Sequence, residues 1–131
     1  MFTKIVIFIV VVLFPVISSG QEDRLQEVAV LRKDIAVEMQ YLIAVPQEEP
    51  AAEGWPLLLF LHGLGECGSD INLVKKHGPP KLIENGKRFP FVVVSPQCPR
   101  GSHWEPWRLA VLLDKVVESN DIDEDRIYIT G

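Results

Sequence analysis

A three-layer α/β domain built on a mostly parallel sheet is the fold class this sequence predicts, and three observations predict it. Residues 56–61 (Pro-Leu-Leu-Leu-Phe-Leu) and 91–95 (Phe-Val-Val-Val-Ser) are short, continuous apolar runs, the pattern of strands buried on both faces. Residues 127–130 (Ile-Tyr-Ile-Thr) form a third, β-branched run. Before that run lies a helical stripe of Leu109, Leu112, Leu113, Val116 and Val117. Buried strands separated by helical crossovers stack into a parallel sheet with helices on its faces.

In chain order, Lys4 precedes an apolar run from Ile5 to Ile17, broken only by Pro15, and Ser18-Ser19-Gly20 leads into the polar Gln21. This reads as a secretory signal peptide over residues 1–20, cleaved after Gly20, so the mature protein is expected to be secreted or periplasmic. The apolar core is short for a membrane span, and no stable anchor is expected after cleavage. An uncleaved anchor is the alternative use of the same Lys4 and apolar core. Residues 21–131 allow one domain and carry 12 Lys+Arg against 18 Asp+Glu, a net charge of −6. That acidic balance, with no basic run, argues against nucleic acid or an anionic membrane as partner.

Residues 37–45 alternate, with Val37, Met39, Tyr41, Ile43 and Val45 on one face, and predict a half-buried strand. Residues 26–31 are a second strand candidate, and Arg32-Lys33-Asp34 is polar enough to reverse the chain, so the two predict an N-terminal antiparallel hairpin. The acidic stretch 46–54, punctuated by Pro46 and Pro50, is a loop. After the strand at 56–61, residues 72–77 and 81–85 each fit one or two helical turns, stopped by Gly78-Pro79-Pro80 and by Gly86. The clearest helix starts at Pro106, suited to a first turn, and residues 120–125 form an acidic turn before the third buried strand.

Open α/β sheets bind ligands beyond the carboxyl ends of their strands, which here are residues 62–68, 97–107 and Gly131 onward. Gly63 and Gly65 let backbone N–H groups turn toward that crevice, as a developing oxyanion requires, and the Leu64 N–H is the expected donor. Arg126-Ile127-Tyr128-Ile129-Thr130-Gly131 is a β-branched strand running into glycine, the start of a G-x-S-x-G nucleophile elbow with Gly131 as its first glycine.

Leu61-His62-Gly63-Leu64-Gly65-Glu66, Lys76-His77-Gly78-Pro79-Pro80, Ser95-Pro96-Gln97-Cys98-Pro99 and Asp125-Arg126-Ile127-Tyr128-Ile129-Thr130-Gly131, in this order, resemble the predicted-peptidase and phospholipase/carboxylesterase-like branch of the α/β-hydrolase superfamily. That branch is similar to prolyl-oligopeptidase catalytic domains and to feruloyl-esterase and polyhydroxybutyrate-depolymerase-like enzymes. The likeness spans roughly residues 37–131. It implies a Ser-Asp-His hydrolase whose serine stands two residues after Gly131, with acid and base later still. Residues 21–131 are then the N-terminal part of an α/β-hydrolase domain, without its C-terminal half and without any triad member, and inactive alone. The implied activity is hydrolysis of carboxylic ester or peptide bonds through an acyl-enzyme, with no cofactor and no metal. The other reading is a non-catalytic binding protein, or pseudoenzyme, on the same fold. Later loops set the substrate, so lipid, feruloyl or acetyl ester, polyester and peptide stay open.

Several side chains near the crevice admit two roles. His62 is a general base by residue type, but its place before the oxyanion glycine favours shaping the loop. His77, beside two prolines, reads as a turn residue, and His103 as either pocket-lining or solvated. Glu66 contacts substrate or pairs with a cation that holds the loop; the second is favoured, since a carboxylate beside a developing oxyanion opposes catalysis. Trp104 and Trp107 either wall the site or pack the start of the helix. Asp121, Asp123 and Asp125 alternate like a calcium loop, but Arg126 occupies the position that needs glycine, so a turn role is expected. The resemblance places Cys67 and Cys98 after neighbouring strands, where a disulfide closing about 30 residues would contribute on the order of 3 kcal/mol. A cysteine nucleophile is disfavoured because neither stands at the elbow.

Overall fold

The computed structural model describes residues 29–31 and 34–131, and the chain divides into two units, 1–34 and 35–131. The expected signal peptide lies outside the described residues. All regular secondary structure among the described residues belongs to the second unit.

The two longest apolar runs become the centre of the sheet. β2 (Trp55–Phe60) and β3 (Val92–Pro96) run parallel, with Leu57 opposite Val92 and Leu59 opposite Val94. β4 (Ile122–Thr130) lies parallel on the far side of β2, and β1 (Tyr41–Ala44) antiparallel on the far side of β3, giving the order β1-β3-β2-β4. One face is covered by α2 (Pro106–Ser119), whose Leu112 and Val116 meet Leu57, Leu59, Val92, Val94 and Ile122 in the core. Each such buried side chain contributes about 1.5–3 kcal/mol. Successive strand residues point to opposite faces, so Val93 and Ser95 look the other way, toward Pro80 and Ile83 of α1 (Gly78–Glu84).

Five local expectations change. The predicted hairpin is replaced by pairing across the sheet: β1 takes β3 as its partner, with Tyr41 opposite Pro96 and Ala44 opposite Val93. Residues 29–31 are irregular and 26–28 lie outside the described residues. Because β3 is buried along its whole length, the polar groups on both its edges require partners, a demand that a local polar turn does not outweigh. Within the stretch expected to alternate, Met39 and Tyr41 do pack on the core, whereas Ile43 and Val45 remain 41% and 46% exposed at the sheet margin.

Gly78-Pro79-Pro80 opens α1 instead of separating two helical turns, because a first turn makes no use of the N–H groups that proline lacks. Gly78 has φ +61°, and a Cβ there would lie 2.5 Å from the Phe60 ring, so glycine lets α1 descend onto β2. The preceding turn is a 3₁₀ helix, Ile71–Lys76, capped by the Asp70 carboxylate, which accepts the Asn72 N–H at 2.9 Å.

The acidic turn at 120–125 is largely absorbed into β4. Trp55 pairs with Ile122 and Leu57 with Ile127, so residues 123–126 bulge out between the two pairings. The Asp123 carboxylate accepts from Arg126 Nε and, at 3.0 Å, from the Asp125 N–H; Arg126 Nη2 also reaches the Gly54 carbonyl at 3.1 Å. Nor is β4 a buried strand: among the described residues no strand pairs with its outer edge, and Tyr128 and Ile129 are 57% and 63% exposed.

The Arg126 hydrogen bond holds the Asp123 carboxyl below its ordinary value of 3.8. A folded-state value below the unfolded one stabilises the fold above the unfolded value, and that stabilisation is lost as pH falls through the folded value. An Asp123→Asn variant is therefore expected to melt below wild type at neutral pH. The gap should close once the pH drops below 3.8 and through the folded value, as melting curves across the acid range would show.

Candidate active site

Three strand ends converge at one edge of the sheet. The Leu61 N–H, just past β2, donates to the Thr130 carbonyl of β4 at 2.8 Å. The Gly68 N–H donates to the Cys98 carbonyl at 2.9 Å, joining the loop after β2 to the loop after β3. Gly131 packs so tightly on Leu61 that a Cβ would fall 2.5 Å from its carbonyl oxygen.

The loop expected to bind an oxyanion forms a 3₁₀ turn, Leu64–Glu66, entered from an extended Gly63. Leu64 is the first residue of that turn, and first-turn N–H groups have no partner within their own helix. Leu64 as a whole is 83% exposed.

His62 sits beneath the loop and is 4% exposed. Its Nδ1 lies 2.8 Å from the Gly63 carbonyl, and its Nε2 lies 3.1 Å from the Cys98 N–H. A carbonyl only accepts and an amide N–H only donates, so the tautomer with hydrogen on Nδ1 satisfies both contacts. With Nδ1–H donating and the Nε2 lone pair accepting, no ring nitrogen remains to take a proton from a substrate. Trp104 completes the clamp: its indole N–H donates to the His62 carbonyl at 3.3 Å, and the two rings meet edge to face at 4.9 Å.

The other candidates divide. Glu66 is 9% exposed and pairs with His77 at 3.5 Å, its carboxylate lying over Gly63. Trp107 is not drawn in; it is 49% exposed on the first turn of α2, beside the Arg108 guanidinium. His103 is exposed. Cys67 and Cys98 adjoin one another as free thiols, and burial, with Cys67 alongside, pushes the Cys98 thiol up to about 11. Among the described residues no three His, Cys, Asp or Glu side chains gather as a metal site requires.

Sequence reasoning missed Gln97. It is 5% exposed, its side-chain amide donates to the Asp70 carbonyl at 2.9 Å and its backbone N–H to Gln40. It thereby ties β3 to the loop after β2 and to the segment before β1. Gln97 stands within the Ser95–Pro99 motif, but a single glutamine ending an apolar strand carries no periodic signal that would show which backbone groups it ties. Between these loops lies an open hollow of about 370 Å³ lined by Gly68, Ser69, Asp70, Leu73, Pro99 and Arg100. Another groove, about 310 Å³ and lined by Val45, Ile83, Phe89 and Phe91 among others, opens near the start of β3 and is separate from the converging strand ends.

No family model and no curated protein matches the chain. Among solved structures it is similar to a thermostable esterase, with 33% identity and a TM-score of 0.55 over 72% of this chain and 30% of the esterase. It is also similar to the BES protein from Bacillus cereus, with 14% identity and a TM-score of 0.40 over 80% of this chain and 55% of that one. The second likeness is too slight to bear on the assignment. The chain thus spans less than a third of the esterase's length. With one antiparallel strand ahead of three parallel ones, helices on both faces and this esterase as neighbour, the described chain has an α/β-hydrolase fold.

Proposed function

We propose that the protein is an exported serine hydrolase of carboxylic ester bonds, or of peptide bonds, that works through an acyl-enzyme. The observation that carries this reading is the junction at the strand ends, where Gly131 packs on Leu61 and the chain enters a 3₁₀ turn at Leu64. The thermostable esterase supports ester over peptide as the favoured bond.

In this mechanism residues 21–131 are the N-terminal part of the hydrolase domain, and the serine, acid and base follow Gly131. The serine hydroxyl attacks the substrate carbonyl, and the carbonyl oxygen, as it gains charge, accepts the Leu64 N–H. Such a donor acts by being in place before the charge develops, and losing one costs about 10²–10³ in kcat. His62 holds the donor by fastening Gly63, and His77 Nε2, 3.5 Å from the Glu66 carboxylate, keeps that side chain beside the loop. Export rests on the leader at residues 1–20.

The test is to incubate the full-length protein with chromogenic short-chain esters and a peptide anilide, and to label it with a fluorescent phosphonate selective for activated serines. Ester turnover and one labelled serine are the expected result. If neither substrate turns over and no label is taken up, the chain is a binding protein on a hydrolase fold.

A further inference from the structure

We propose that Cys67 and Cys98 are a reversible redox pair whose disulfide staples the oxyanion loop to the loop after β3. The bond itself stands independently of the hydrolase reading, whereas its effect on catalysis rests on it.

The backbone already holds the two cysteines together. Cys98 gives its N–H to His62 Nε2 at 3.1 Å and its carbonyl accepts from the Gly68 N–H at 2.9 Å, so both backbone polar groups of this residue are spent on the segment 62–68 that contains Cys67. The two thiols adjoin, and neither has a strong competing partner: Cys67 Sγ lies 3.9 Å from the Gly63 carbonyl and Cys98 Sγ 3.8 Å from the Pro99 carbonyl. Thiol donors at these distances are weak and are readily given up.

Their exposures assign an order of events. Cys67 is partly exposed and Cys98 is 2% exposed. An oxidant therefore meets Cys67 first, while Cys98, its thiol raised by burial, stays protonated and unreactive until a neighbouring sulfur becomes electrophilic. With a small-molecule disulfide such as oxidised glutathione, the Cys67 thiolate attacks one sulfur, forming a mixed disulfide and releasing one glutathione thiolate. Cys98 Sγ then attacks Cys67 Sγ; its proton passes to solvent base, and the second glutathione leaves as thiolate. Two protein thiols and one small disulfide become one protein disulfide and two small thiols.

The staple would act on the donor. Cys67 follows directly on the turn Leu64–Glu66, and its N–H donates to the Leu64 carbonyl at 3.3 Å. Linking it to the buried Cys98 leaves the Leu64 N–H less freedom, and a preorganised donor is the more effective one. The oxidised form is thus the more active.

The full-length protein, purified reduced, is treated with oxidised glutathione and then denatured and alkylated for mass analysis. The expected result is loss of both thiols, no retained glutathione and a cross-linked peptide pair containing residues 67 and 98. A Cys67→Ser variant should leave Cys98 alkylatable and unmodified, which also shows that Cys98 is not attacked first. A stable glutathione adduct on Cys67 beside a free Cys98, or survival of both thiols, would overturn the proposal. On a chromogenic ester, the oxidised form should show a kcat about threefold higher at unchanged KM, reversed by dithiothreitol. Equal kcat in both states would overturn the coupling to the site. Absence of turnover in both states would reject the hydrolase reading, with the cross-link still deciding whether the pair forms.

Discussion

Replacing Gly131 by alanine in the full-length protein is expected to lower kcat about 100-fold while KM changes little. A Cβ at this position would stand 2.5 Å from the Leu61 carbonyl oxygen, so the ends of β4 and β2 would have to separate by most of an ångström. Leu61 is poorly placed to yield, because its N–H is bonded to the Thr130 carbonyl at 2.8 Å and its neighbour His62 is buried in its clamp. The displacement therefore falls on the residues after Gly131, where the proposed nucleophile stands. A misplacement of about 1 Å at a reacting atom is enough for a loss of about 100-fold. Steady-state kinetics on an ester, with near-ultraviolet circular dichroism to show that packing is retained, provide the measurement. A folded Gly131→Ala protein with wild-type kcat would remove Gly131 from the elbow.

Truncating His62 to alanine is the second large effect. It orphans the buried Cys98 N–H, removes the bond to the Gly63 carbonyl and deletes the edge-to-face contact with Trp104. Together these should destabilise the fold by about 3 kcal/mol. Turnover should fall about 10-fold, well short of the loss that follows removal of a general base. His62→Asn keeps a donor for the Gly63 carbonyl, and His62→Gln keeps an acceptor for the Cys98 N–H, so each should recover part of both losses. The decisive readout is the pH dependence of kcat/KM. Its shape should be unchanged in both conservative variants, because His62 spends both ring nitrogens on the backbone. Loss of the acid limb in the Asn and Gln variants would make His62 a base after all.

Much of the sheet was legible because burial leaves a dense signal. Two continuous apolar runs became the two central strands, and the stripe from Leu109 to Val117 became the helix on one face. What could not be read were partners, since pairing is a long-range choice. The stretch 37–45 looks as though it should fold back on 26–31, yet β1 lies against a strand some 50 residues later in the chain. Gly78-Pro79-Pro80 looks like a break, and only the Phe60 ring beneath it shows why a glycine there opens a helix. The third strand reads as buried because its residues are apolar, but Tyr128 and Ile129 lie on the outermost strand of the described sheet.

The same division runs through the candidate site. His62, Gly63, Leu64, Glu66 and Gly131 were picked out by sequence, because glycines beside a strand end and a β-branched run into glycine are local patterns. What His62 does was not local. Its two ring nitrogens are claimed by a carbonyl one residue away and an amide 36 residues away, and only the second contact reveals a clamp that fixes the loop. Sequence by itself therefore determined the layered α/β class, the central strands and the main helix, all properties of short stretches and their periodicity. The tertiary structure alone decided which strand β1 joins, that Gly131 must be bare to lie on Leu61, and that His62, Gln97, Trp104 and Cys98 bind the strand ends into one unit. Each of those depends on atoms that are distant in the chain and meet only when the sheet closes.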